Sequence, residues 1–162
     1  MKKLLMFLLL STAIMACQKK QYFSSAPEID LIKKGNEAYF KGDWESLRSL
    51  YADTANIYDN TWLDNEITAD QYIENMKAGL TDFTEYKLAD EREFIEMVET
   101  DDGQRWVHDW LLWGGTHKSG KKVLTTVHIA SQVINNKIVN QVFMYDRLAS
   151  YLAAQPDSTV NP

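Results

Sequence analysis

The stretch VHDWLLWGGTHKSGKKVLTTVHIASQVINNKIVNQVFMYD, residues 107–146, decides how this chain folds. β-Branched and aromatic residues alternate with polar ones, and the runs are broken by KSGK at 118–121 and NNK at 135–137. Alternation of period two with Gly- and Asn-bearing turns is the signature of antiparallel hairpins. A further turn signal, TDDG at 100–103, extends the pattern upstream. The segment from about Phe83 to Tyr145 therefore reads as four long antiparallel strands.

Upstream the period changes. Leu31, Ile32, Gly35, Ala38 and Tyr39 recur at helical spacing, and KGD at 41–43 supplies a glycine stop followed by an aspartate N-cap. WESLRSLYA then places Trp44, Leu47, Leu50 and Tyr51 on one face and ends before Asp53. A short strand follows at Ala55–Tyr58, and TADQYIENMKAGL reads as a third helix capped by Thr68. A short helix over about Arg147–Ala154 leads into a polar tail, 155–162. Helices first and a meander afterwards mean α+β, with a curved antiparallel sheet wrapped around the N-terminal helices.

The N-terminus reads as a secretory signal. Lys2 and Lys3 precede an apolar run from Leu4 to about Leu10, and Ile14-Met15-Ala16-Cys17 resembles a lipobox cut before the cysteine. The run is shorter than the ~20 residues that cross a bilayer. Cys17 is the chain's sole cysteine, so it has no disulfide partner within the chain and is expected to carry lipid. Residues 17–29 read as the lipidated cysteine and a tether, and residues 30–154 as one domain. Cleavage removes two of 17 basic residues and none of 23 acidic ones, leaving a formal charge of −8. That balance argues against nucleic acid or an anionic membrane face as partner. The expected location is the cell envelope, at the outer membrane of a Gram-negative bacterium, with the side left open.

Hairpin arithmetic assigns faces. If Ser119-Gly120 and Asn135-Asn136 are both two-residue turns, one face carries His108, Trp110, Leu112, Thr125, Val127, Ile129, Ser131, Asn140, Val142, Met144 and Asp146. That face reads as a core opening into a pocket. The other carries Val107, Asp109, Leu111, Trp113, Leu124, Thr126, His128, Ala130, Gln132, Gln141, Phe143 and Tyr145, and reads as a flat interface for a second copy. Before the TDDG turn, a two-residue loop sends Ile95 and Met97 inward and a three-residue loop sends Phe94 and Glu96; both stay open.

Two stretches, AYFKGDWESLRSLYADTANIYD at 38–59 and NNKIVNQVFMYD at 135–146, resemble the opening and the closing hairpin of the nuclear transport factor 2-like superfamily, in its SnoaL-like and ketosteroid-isomerase-like branch. The resemblance spans roughly residues 30–154 and implies a cone-shaped sheet around a pocket, often dimeric through the convex face. It places Asp59 where the isomerases keep a proton-shuttling base, and Asp146 near an acid of the SnoaL-like cyclases. It departs at Gly35, which stands where the isomerases carry an oxyanion-hole tyrosine, and at His128 and Ile129, where they carry a buried acid. Steroid isomerisation is thus not expected.

The expected site comprises Asp59, Asp146 and His108 as catalytic candidates, with Tyr58, Trp110, Val127, Ile129, Asn140 and Met144 as ligand contacts. Trp62, with Tyr58 and Trp110, is a candidate apolar surround for Asp59. No third histidine converges on His108, so no metal site is expected, and no Gly-rich phosphate loop, Cys-x-x-Cys pair or G-x-S-x-G elbow occurs, so no cofactor is expected. The leading reading is a lipid-anchored protein that binds a small, mostly apolar molecule. The alternatives are a cyclase, isomerase or dehydratase type of enzyme, and an interaction module of an envelope complex.

Overall fold

The computed structural model describes residues 21–61, 65–90 and 93–156. Cys17 and the signal sequence, Trp62 and the end of the tail lie outside them. The chain order is β1 Tyr22–Phe23, α1 Pro27–Lys41, α2 Trp44–Ser49, β2 Tyr51–Asp59, α3 Ala69–Leu80, β3 Phe83–Leu88, β4 Phe94–Glu99, β5 Arg105–His117, β6 Lys122–Ile134, β7 Lys137–Tyr145 and α4 Leu148–Ala154.

The helix ends follow local chemistry. α1 begins with Pro27 in its first turn, beside the dipole-complementing Glu28 and Asp30, and stops at Gly42, whose φ of 69° lets its N–H reach the carbonyls of Ala38 and Tyr39. Asp43 then caps α2 by accepting from the Ser46 N–H. Thr68 and Gln71 form a reciprocal capping box on α3. β1 and the first turn of α1 fall within the stretch 17–29, and α2 yields to β2 at Tyr51 because that residue already pairs with Ile138.

The seven strands form one sheet in the order β1-β4-β5-β6-β7-β2, with β3 pairing β5 beyond the end of β4. The first of the four expected long strands is thus two, β3 and β4, sharing one edge of the long β5. β2 joins β7 in parallel, and all other pairs are antiparallel. Inside the curve, Ile57, Met97, Val107 and Ile138 are fully buried in one core with Ile29, Leu31 and Ile32 of α1. Each such side chain contributes about 1.5–3 kcal/mol over its exposed state.

The face assignment is corrected for β5 and β7. Thr116 pairs with Lys122, and His117 accepts no two-residue hairpin; the loop is the three residues 118–120, closed by Gly120 at φ 85°. Asn135 and Asn136 do form the expected two-residue turn, at φ 51° and 59°. Three residues later the register slips, because Val133 pairs with Ile138 but Gln132 pairs with Asn140, leaving Val139 as a bulge. Each one-residue change inverts every side chain beyond it. Consequently Val107, Asp109, Leu111, Trp113, Gln141, Phe143 and Tyr145 share the concave face with Thr125, Val127, Ile129 and Ser131. His108, Trp110, Leu112, Asn140, Val142 and Met144 face the convex side. Upstream, Met97 pairs with Val107 and Ile95 with Asp109, so Ile95 and Met97 point inward across a three-residue loop.

Candidate functional site

The concave face closes over a cavity of about 560 Å³, held between α1, α3, α4 and the sheet. Its deep walls are Ile32, Leu47, Leu111, Ile129, Ile138 and Phe143, all buried. Aromatic rings set its shape. Tyr72 stacks on Phe143 at 4.6 Å, and Phe83 meets Trp113 edge-on at 5.0 Å. Such rings offer broad apolar contact with little side-chain entropy to lose.

Polar side chains also reach this volume, two of them from α1. Tyr39 projects from α1 one turn after Gly35, and its Oη accepts from Trp113 Nε1 at 3.0 Å. Burial pushes the Tyr39 phenol well above its usual range, only partly offset by the Trp113 bond, so it keeps its proton as a donor inside the cavity. A tyrosine hydroxyl thus does enter from α1, four residues beyond the glycine that the resemblance singled out. The signal was i, i+4 spacing along one helix face.

Asn36, also on α1, lines the cavity as well. Its amide nitrogen donates to Asp109 Oδ2 and to Glu93 Oε1, both at 2.7 Å. Two carboxylate acceptors engage the amide nitrogen and fix the side chain of Asn36, which lines the cavity. Behind it Asp109 is 0% exposed, and its Oδ1 has no partner among the described residues. Burial pushes the Asp109 carboxyl up to about 7, with Glu93 adding to the rise and the Asn36 bond opposing it. Asp109 itself does not line the cavity and is linked to it only through Asn36.

At the mouth, Asp59 uses both oxygens. Oδ1 accepts from Tyr145 Oη at 2.9 Å and Oδ2 from Arg147 at 3.0 Å. The Tyr145 phenol is pushed up to about 12, first by burial and then by the Asp59 carboxylate. Asn60 locks this corner at φ 54°, donating to the Tyr145 carbonyl and accepting from its N–H. Asp59 is therefore both a strand-end residue and part of the cavity wall.

The remaining sequence candidates separate. Val127 and Ile129 line the cavity with Asp59. Asp146 is exposed and accepts from the Leu148 N–H at the start of α4. Tyr58 pairs with Val142 and faces the convex side, as do Asn140 and Met144, displaced by the Val139 bulge. His108 and Trp110 lie there too, because of the three-residue 118–120 loop. There His108 Nδ1 meets His128 Nε2 at 3.1 Å, Trp110 stacks on His128 at 4.5 Å, and Phe94 abuts Trp110. Burial holds both imidazoles below their usual range. Among the described residues no group of three or more His, Cys, Asp or Glu is placed to hold a metal ion.

No protein-family profile matches the chain, and no curated protein matches it. Solved structures do. IdmH of Streptomyces antibioticus, described as a candidate polyketide cyclase, superposes with a TM-score of 0.63 at 20% identity, covering 80% of this chain and 98% of its own. A nuclear transport factor 2-like protein of Burkholderia xenovorans LB400 gives 0.62 at 16%, covering 82% and 99%. A candidate SnoaL-like polyketide cyclase of Shewanella putrefaciens CN-32 gives 0.57 at 17%, covering 82% and 89%. The domain has the cone-shaped nuclear transport factor 2-like fold.

Proposed function

We propose that this chain is a lipid-anchored cell-envelope protein whose domain binds a small, mostly apolar molecule inside the cone. The observation that carries the reading is the cavity itself, about 560 Å³, its deep walls aromatic and aliphatic, with Tyr39 and Asn36 of α1 among the polar side chains that line it. A site of this size and composition is that of a small-molecule receptor. The Tyr39 hydroxyl, which accepts from Trp113 and keeps its own proton, can donate to an acceptor on an otherwise mostly apolar ligand.

A second reading, acid–base chemistry of the cyclase, isomerase or dehydratase kind, draws on Asp109 and on the candidate cyclases among the structural neighbours. In that reading Asn36 contacts the substrate and Asp109, which does not line the cavity, acts through it. Asp59, Asp146 and His108 do not assemble such a site: Asp59 is engaged by Tyr145 and Arg147, Asp146 binds a helix N–H, and His108 lies on the opposite face. The convex aromatic column of Phe94, Trp110 and His128 supports a homodimer through that face.

Thermal-shift and native-mass screening of the mature domain against small apolar compounds tests the binding reading. A ligand at a hundred times its dissociation constant stabilises by about 2.7 kcal/mol. Gly79 lies in α3 at the cavity, with nothing within 4 Å of where a Cβ would sit. Gly79→Leu is expected to favour the helix by somewhat less than about 0.8–1 kcal/mol, the full Gly-to-Ala difference, while filling the mouth. Ligand shifts seen in the wild type and lost in this well-folded variant support the cavity as the site. Equal shifts in both, or no shift with any compound, overturn it.

A further inference from the structure

The point where the polypeptide enters the fold limits which way the cavity can face. Tyr22 of β1 lies opposite Val98, and Val98 lies opposite Trp106. Gln21 extends this contact, its carbonyl accepting from the Glu99 N–H and its amide donating to Asp101 at 2.6 Å. The chain therefore arrives at the end of the sheet that carries the 100–104 turn. The β6–β7 turn sits at the same end, because Trp106 also pairs with Gln132, two residues before Ile134.

The cavity opens at the other end. Its exposed lining residues are Asn75, Gly79, Asp82, Arg147, Tyr151 and Ala154. α4 is tied there to the β5–β6 loop, with Ser119 Oγ donating to the Ala153 carbonyl and Lys121 Nζ to that of Gln155. Trp106 and His117 mark the two ends of β5. Eleven residues of rise separate them, about 36 Å of strand.

The tether is short by comparison. Residues 18–21 are all that separate Cys17 from Tyr22. Fully extended, the five steps from Cys17 to Tyr22 reach ~18 Å. We propose that the end of the sheet carrying Tyr22, the 100–104 turn and Ile134 lies against the lipid bilayer, and that the cavity mouth opens away from it. Its ligand is then a water-borne amphipathic molecule and not one entering sideways from the membrane. The inference rests on lipidation of Cys17. A pose with the mouth on the bilayer would hold Tyr22 at a height of roughly 30 Å or more along the strand direction, beyond the reach of the tether. Tyr22 and Ile134 are 62% and 49% exposed at the bilayer-facing end. Tyrosine in particular favours the headgroup region, where its ring and hydroxyl are both satisfied.

The test uses full-length protein processed in the cell and reconstituted into phosphatidylcholine vesicles with a headgroup-linked quencher in both leaflets. Cys17 is the sole cysteine, so in the acylated chain Asp101→Cys and Lys118→Cys each introduce one reactive thiol for a fluorophore, both at exposed turn positions. The label at 101 is expected to be quenched several-fold more than that at 118, and Ile134→Cys should behave like 101. Equal quenching, or stronger quenching at 118, in acylated protein overturns the orientation alone. An intact mass showing unmodified Cys17 overturns the anchorage and the orientation with it.

Discussion

Replacing Asp109 by asparagine should stabilise the domain at about pH 8 and leave it nearly unchanged at about pH 4. Asp109 is fully buried on the concave face, one oxygen on Asn36 and the other without a partner among the described residues. Its folded carboxyl titrates at about 7, against an ordinary value of 3.8. Between those values the unfolded chain has lost the proton and the folded chain has kept it. The folded state then binds more protons, so stability falls as pH rises, by about 1.4 kcal/mol per pH unit. The loss begins above the unfolded value, accumulates to roughly 4 kcal/mol, and levels off above about pH 7.

Asparagine has the same shape, keeps an acceptor for Asn36 and carries no charge at any of these values. Urea unfolding of both proteins at unit intervals from pH 4 to pH 8 isolates the contribution, because every other titrating group is common to the pair. The expected result is a stability difference near zero at the acid end that grows by several kcal/mol in favour of the variant. A difference that does not change with pH, or a variant less stable at pH 8, would refute the assignment of Asp109 as a buried acid held protonated by its surroundings.

Gly115 faces the cavity side, where an added Cβ would lie 2.6 Å from the Trp113 ring and 2.9 Å from Phe83. Gly115→Ala is expected to cost about 1–3 kcal/mol in urea unfolding and to weaken any ligand, since both rings line the cavity; a wild-type midpoint would show that the rings are not held there. On the convex side, Trp110→Lys should halve the native mass of a homodimer while leaving the cavity intact. A wild-type protein that is already monomeric, or a variant with unchanged mass, removes that face as the interface.

Much of the architecture was legible because its causes are local. Gly42 ends α1 since only a residue at ease with φ 69° can turn there, and Thr68 with Gln71 starts α3 through its own side chains. Asn135-Asn136 makes its turn for the same reason, both residues tolerating positive φ. Asp59 could be placed at a strand end beside a pocket from the motif around it. Its engagement by Tyr145 and Arg147 could not, because those partners come from 86 and 88 residues away.

Composition and short-range pattern determined the α+β class, the helix caps, the positions of the three hairpin turns and the inward face of β6. Tertiary structure decided which side of β5 and β7 lines the cavity. A third residue in the 118–120 loop and the extra Val139 each alter pairing by one position, and in a strand of period two that exchanges inside for outside. KSGK accommodates either loop length, and nothing around Val139 demands a bulge until β7 must also pair with β2 and curve over α1 and α3. The same exchange carries His108 and Trp110 to the convex surface and brings Asp109, Trp113, Phe143 and Tyr145 inside, where burial gives Asp109 its altered acidity.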